Sequence, residues 1–282
     1  MRICYGNCFW TPVRRRSIYF INVRYGRQNR LLPEVLMYLT TQGLVLRTTE
    51  YQDTDLMLTV LTKDRGLMSL RARGVRKNSS RLKSACQLLS YSEFTVFENR
   101  GYHTVNEAAP VEMFPELRSD LELLALGSYF AQAAEVLSQE DAPESEILSL
   151  TLNSLYALCR LKKPALLVKA AFELRLACLS GYAPQLDGCA VCGNETPDRF
   201  NVTGGVLQCA RCGGIEGLRL PLTPAMLAAM RYLAACEPKK LFSFSMETEE
   251  LRQLSDLTET YLATQLERGF SALDFYKSLL FT

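Results

Sequence analysis

The sequence predicts an α+β protein: a small β-barrel at the N-terminal end, helices after it, and a cysteine-rich module inserted late among the helices. Three observations carry this. Five short alternating stretches bounded by turn residues lie between positions 42 and 108. After Pro110 the apolar spacing changes to that of helices. Two C-x-x-C pairs, Cys189-Ala-Val-Cys192 and Cys209-Ala-Arg-Cys212, stand sixteen residues apart.

Gln42–Thr49 is the first strand and Asp53–Thr62 the second, joined by a polar turn. Lys63-Asp-Arg-Gly66 is a tight turn ending in glycine, so the second and third strands form a hairpin. In the third strand, Gly66–Gly74, Met68, Leu70 and Ala72 share the apolar face, which puts Arg71 and Arg73 together on the opposite, solvated face. Val75–Leu82 reads as a basic loop, Leu88–Glu98 as the fourth strand and Tyr102–Ala108 as the fifth. Five short strands in about seventy residues suggest a partly open barrel, for which the oligonucleotide-binding (OB) fold is the common solution.

Pro115-Glu-Leu-Arg-Ser-Asp-Leu121 opens the helical part, with Leu121, Leu124, Tyr129, Ala133, Val136 and Leu137 at helical spacing. Asp141-Ala-Pro-Glu144 caps a helix over Glu144–Leu161, and Ala165–Leu179 is a buried helix stopped at Gly181. Later helices are expected from Pro224 to Cys236, from Met246 to Leu266 and from Ser271 to Leu280. Between them, residues 184–219 hold the cysteine pairs, with short strands at Arg199–Val202 and Gly205–Gln208. Four thiolates from two tight turns can close tetrahedrally round one structural Zn²⁺; the alternative is four buried thiols or two disulfides. Such a site leaves no open position for water or substrate, and the module is too small to bury a core without its ion.

The length of 282 residues fits two domains or three. Residues 1–36 are expected to be a disordered extension or a mis-assigned start, 37–112 the OB-type barrel domain and 113–282 the helical domain. The first segment holds seven Arg against one acid, the only Trp (Trp10), and one β-like stretch, Ser17–Arg24. It lacks the apolar core of a secretory signal. No run is long enough to span a membrane. Of the cysteines outside the pairs, Cys159, Cys178 and Cys236 fall in helical patterns and read as buried free thiols, which suits a reducing compartment. The single histidine, His103, reads as exposed or on an edge strand and excludes most His-dependent catalysis. Phosphate-binding loops and nucleophile elbows are absent. Asp53, Asp55 and Asp64 read as turn-forming acids; a metal-dependent nuclease built on Asp53 and Asp55 is the enzymatic alternative.

The net charge of +2 conceals a cluster: residues 63–83 hold eight Lys or Arg against one Asp. A cationic stretch of that density marks a polyanion partner. Tyr51, Tyr91, Phe94 and Tyr102 are either stacking surface or barrel core.

Gly43-Leu-Val-Leu46, Tyr51-Gln-Asp-Thr-Asp55, Arg71-Ala-Arg-Gly74 with Arg76 and Arg81, Phe172–Leu176, Gly181-Tyr-Ala-Pro184 and Cys189–Cys192 together resemble the bacterial RecO family of recombination mediators. The resemblance covers residues 38–282; the stretch Glu267–Tyr276 departs from the Gly-Lys-rich tail of the family. It implies a non-enzymatic DNA repair protein of the cytoplasm and nucleoid. Such a protein binds and anneals single- and double-stranded DNA, partners with RecR and single-strand binding protein, and assists RecA indirectly. It also implies phosphate contacts at Arg71, Arg73, Arg76, Lys77, Arg81 and Lys83, and structural zinc on Cys189, Cys192, Cys209 and Cys212. A zinc-ribbon module of transcription or translation is the runner-up.

Overall fold

The computed structural model describes residues 37–280, so the expectations for residues 1–36, the Ser17–Arg24 stretch included, lie outside the described residues. Contacts divide those residues into two compact units. One holds the strands up to Pro115 together with Ser138–Leu148; the other holds Glu116–Leu137 and the chain from Ser149 onward.

In the first unit, β1 (Met37–Tyr51), β2 (Asp55–Thr62), β3 (Gly66–Ala72), β4 (Tyr91–Asn99) and β5 (Tyr102–Glu112) close a barrel in the order β1-β2-β3-β5-β4, the OB arrangement. β1 begins earlier than its sequence pattern, because its first half pairs with β4 and its second half with β2, with a register break between Val45 and Arg47 where it bends. β5 outruns its alternation to Glu112, and Pro110 is accommodated at the register break beside Ser92. β4 begins at Tyr91 rather than Leu88: Leu89 takes a positive φ of 60°, and its N–H and the Ser90 carbonyl bond to Val45. Val45, Leu58, Val60, Leu70, Phe94 and Val96 fill the interior, and Val75 and Cys86 from the β3–β4 connection pack against them. His103 is not on an edge, since a closed barrel has none. It lies half-buried on β5 between β3 and β4, with Nε2 3.7 Å from Glu98 Oε2.

Gly66 ends the β2–β3 turn under two constraints. Its φ is +60°, and a Cβ there would overlap the carbonyl oxygens of Gln139 and Ala142, because residues 138–144 are hydrogen-bonded to this hairpin through Leu67 N–H to Gln139 O and Glu144 N–H to Lys63 O.

In the second unit, α1 (Glu116–Ser119) and α2 (Leu121–Leu137) replace one expected helix, Asp120 intervening and accepting from the Leu123 N–H. α3 (Ser145–Cys159), whose residues up to Leu148 are grouped with the first unit, and α4 (Ala165–Leu179) follow the sequence reading. Next come β6 (Gln185–Cys189), β7 (Arg199–Asn201), β8 (Val206–Gln208) and β9 (Arg219–Pro221). α5 (Pro224–Ala235), α6 (Thr248–Leu266) and α7 (Ser271–Leu279) complete the chain. Thr223 caps α5 by accepting from the Met226 N–H. The Arg175 guanidinium of α4 donates to the carbonyls of Leu233, Ala234 and Cys236 at the other end of α5. Cys159 is buried as expected, whereas Cys178 and Cys236 are only half-buried.

The helical core is aromatic around a buried ion pair. Phe130 stacks on Phe172 at 4.2 Å, and Tyr129 meets Phe270 edge-on at 5.4 Å. Lys169 Nζ lies 3.0 Å from Glu173 Oε1 and 2.9 Å from Glu259 Oε2. Glu173 also accepts from Tyr129 and Thr258 hydroxyls, and Lys169 donates to Ser255. Burial opposes the charge on Lys169, but Glu173 and Glu259 outweigh it and raise its pKa, so the amine stays charged.

Gly66→Ala is expected to destabilise the barrel unit by about 1–3 kcal/mol, read as a lower denaturant midpoint. Lys169→Ala leaves Glu173 buried without its counter-ion and is expected to cost about 3–5 kcal/mol in the same measurement.

Candidate nucleic-acid interface and metal centre

β3 delivers the cationic residues to the barrel surface in an order set by its pleat. Met68, Leu70 and Ala72 point inward and are buried, Ser69 is exposed, and Arg71 is half-buried on the outer face. Beyond Ala72 the chain leaves the sheet, and Arg73, Arg76, Lys77, Arg81 and Lys83 are all exposed along the connection to β4. Val75 dips into the core between them, and Lys77 and Ser80 make short-range turn hydrogen bonds, so the loop is pinned rather than free-running.

The six cations expected at the interface differ in their surroundings. Arg71 donates through Nε and Nη2 to Asp55 Oδ2 at 3.0 and 2.8 Å, and through Nη2 to Gln52 at 2.8 Å. Asp55 also accepts from the Gly74 N–H at 2.8 Å; that bond, then Arg71, lowers its pKa. Arg76 lies 3.0 Å from Glu50 and bonds the Asp53 carbonyl. Arg73, Lys77, Arg81 and Lys83 make no ion pair among the described residues and present their charges to solvent. Asp55 is therefore saturated by a guanidinium and a backbone amide, which leaves it unsuited to hold a catalytic metal with Asp53.

The aromatics sort cleanly. Tyr91 and Phe94 are barrel core at 2% and 0% exposure, whereas Tyr51 and Tyr102 stand out at 42% and 80%. These exposed rings sit at the β1–β2 and β4–β5 turns, the two loops with which OB folds extend their binding face.

In the second unit the ribbon strands run in the order β6-β8-β7-β9. Cys189 ends β6, and its carbonyl accepts from Gly193, which has a φ of 74°. Cys209 follows β8, and the Cys212 N–H closes the second turn onto its carbonyl. Each turn thus aims its two sulfurs at one point: the ligand atoms of Cys189, Cys192, Cys209 and Cys212 all lie within 4.8 Å of one another, and together they could hold a metal ion.

Thiols this close compete for ionisation. The Cys189 thiol is lowered to about 6, first by the Cys192 N–H and, against the effect of burial, by those of Val191 and Cys209. Cys212 is pushed up to about 12 by its bond to Cys192, by burial and by Cys189. Asn194 donates to the Cys209 sulfur at 3.3 Å and favours its thiolate, yet burial and the neighbouring sulfurs raise that thiol too. A divalent cation at the centre removes this competition, which is the donor chemistry of a closed metal site.

The ribbon has more support than its size suggested. Phe200, Val202 and Leu207 are fully buried, and Phe200 packs edge-on to Tyr261 of α6 at 5.2 Å. Arg231 of α5 donates to the carbonyls of Leu186, Asp187 and Glu195, and Gln265 of α6 to that of Val202. These anchors, like Asn194, escaped the sequence reading. Only the cysteine spacing points to the site, and nothing in α5 or α6 marks a residue that reaches it. The Asp55–Arg71 pair was accessible in principle: the hairpin register sets Met57 opposite Arg71 and so Asp55 diagonal to it.

Comparison with known proteins agrees with both halves of this arrangement. Residues 37–114 match the family model described as Recombination protein O N terminal, and residues 118–274 match Recombination protein O C terminal. A DNA repair protein RecO of Acetivibrio thermocellus is 32% identical over 244 residues, covering 86% of this chain and 97% of its own. One from Alkaliphilus metalliredigens is 29% identical over 246 residues, 86% and 100% of the two chains, and one from Roseiflexus is 32% identical over 239 residues, 83% of each. With both halves matched in order and relatives of nearly full coverage, this chain belongs to the RecO family of DNA repair proteins.

Proposed function

We propose that this chain is a DNA-binding recombination mediator and not an enzyme. It binds single- and double-stranded DNA, anneals complementary strands, and with RecR helps to load RecA on strands coated by single-strand binding protein. The observation that carries the reading is the set of exposed cations, Arg73, Lys77, Arg81 and Lys83, that make no ion pair among the described residues and lie on a pinned loop of an OB-type barrel. In this assignment residues 37–112 are the DNA-binding domain, and residues 113–282, with the metal insertion at about 184–219, carry partner surfaces. The family and the absence of a long apolar helix among the described residues suit a protein of the cytoplasm and nucleoid.

Phosphates would be met by the four free cations. Arg71 and Arg76, already held by Asp55 and Glu50, would contribute field and local order at the same surface. Annealing needs no covalent step: one cationic surface that screens phosphate repulsion between two strands favours their pairing. Such contacts read backbone rather than sequence, so affinity should fall steeply with salt.

The metal we assign is zinc. Sulfurs about 2.3 Å from a tetrahedral Zn²⁺ lie about 3.8 Å apart, and the Cys192 and Cys209 sulfurs are separated by 3.8 Å. Four thiolates leave no position for a reacting water, so the ion would be structural, holding the two turns of the ribbon together.

Strand annealing by the full chain is expected to proceed in excess EDTA without nucleotide and to weaken as salt rises; magnesium-dependent cleavage would overturn the mediator reading. Arg73→Glu with Arg81→Glu is expected to cost more than about tenfold in affinity at low salt and to reduce the salt slope by about two, at unchanged melting temperature. Cys189→Ser is expected to abolish zinc binding and lower the melting temperature by roughly 5 °C or more, measured by metal analysis and calorimetry.

A further inference from the structure

The four sulfurs are tied to one another by hydrogen bonds that cross between the two turns. The Cys209 N–H donates to the Cys189 sulfur at 3.3 Å, so the second turn reaches back to the first. Asn194 makes the reverse connection. It follows Gly193, which closes the first turn, and its side-chain amide donates to the Cys209 sulfur at 3.3 Å. Its main-chain carbonyl accepts from the Cys189 N–H at 2.8 Å. The rest of the side-chain amide is used on Thr196: Nδ2 donates to the Thr196 carbonyl at 3.3 Å, and Oδ1 accepts from the Thr196 N–H at 3.3 Å. An amide bonded at both ends has one orientation, here with nitrogen toward sulfur. Gly188 leaves room for this approach, since a Cβ there would lie 3.0 Å from the Asn194 carbonyl oxygen. Asn194 is no ligand, yet it touches one cysteine of each turn.

We propose that Asn194 is a positioning residue of the metal centre, its side-chain N–H holding the Cys209 sulfur toward the other three and lowering that sulfur's nucleophilicity. The proposal rests on the zinc reading and deepens it. Four thiolates round one Zn²⁺ leave excess negative charge on the sulfurs, and that charge needs donors outside the ligand set. A bond from an amide N–H to a thiolate is charge-assisted and stronger than its neutral counterpart. Cys209 is only half-buried, so an electrophile can reach its sulfur. The N–H of Asn194 draws on the same lone pairs that such an attack would use. Retention of the metal by the second turn therefore depends on a side chain of the first.

The test uses the full chain loaded with zinc and compares Asn194→Ala with Asn194→Asp. The Asp variant keeps an oxygen to accept from Thr196 but loses the donor to sulfur, so it separates the two tasks of the side chain. Both variants are expected to lower zinc affinity by about 10–100-fold in competition with a chromogenic chelator, the Asp variant at least as much as the Ala variant. With Co²⁺ in place of zinc, the sulfur-to-metal absorption band is expected to move to longer wavelength in both, because the bond to Asn194 lowers the energy of the sulfur lone pair. Under iodoacetamide, whose iodide the thiolate displaces, Cys209 is expected to be labelled faster relative to Cys189 than in the wild-type chain, read cysteine by cysteine by mass spectrometry. Wild-type affinity and band position in the Asp variant would overturn the proposal, since Asn194 would then serve only the loop. Labelling that rises equally at all four cysteines would overturn it too. Failure of the wild-type chain to bind zinc would instead overturn the zinc reading on which it rests.

Discussion

The barrel depends on a short parallel pairing between β3 and β5, with Leu70 beside His103 and Arg71 beside Thr104. The other pairings among the five barrel strands are antiparallel ladders, and β2–β3 and β4–β5 are hairpins that local turn chemistry can set. The β3–β5 contact joins segments about thirty residues apart and removes the last free edges. It also decides what the outer face displays. With β3 between β2 and β5, Arg71 stands between Met57 and Thr104, with its guanidinium over the Tyr51 ring at the end of β1, while the chain beyond Ala72 is released as a cationic loop.

Within this frame, arginines that look alike in sequence are physically unlike. Arg71 and Arg73 both belong to an alternating basic pattern, but Arg71 meets a carboxylate whose charge is stabilised by the Gly74 amide, and Arg73 meets water. A guanidinium bound to one carboxylate through two of its nitrogens loses much of its freedom and can hold a ring in place. A solvated one retains its freedom and its full value for an incoming phosphate. The same dense run therefore supplies both scaffold and contact.

The four-cysteine ribbon shows a related division of labour. Its sulfurs converge because two tight turns stand at adjacent strand ends. Its rigidity draws on neighbours outside the motif: Tyr261 against Phe200, and the Arg231 and Gln265 side chains on its carbonyls. A metal in such a module would lock turns that the helices already orient.

Much of the fold was legible in the residues. Alternation in Gly66–Ala72 reflects burial on one face, and the apolar run of Ala165–Leu179 with its glycine stop marked a buried helix to the residue. Cysteine spacing marked the candidate metal centre, because ligand geometry is imposed locally by the turn. What the sequence by itself determined is thus whatever depends on near neighbours: strand and helix type, the two sulfur-bearing turns, and the density of charge after β3. Tertiary structure alone decided that Tyr91 and Phe94 lie inside and Tyr51 and Tyr102 outside, and that His103 is enclosed by two strands. Those outcomes depend on register and closure between distant segments, and no local pattern encodes which strand arrives alongside.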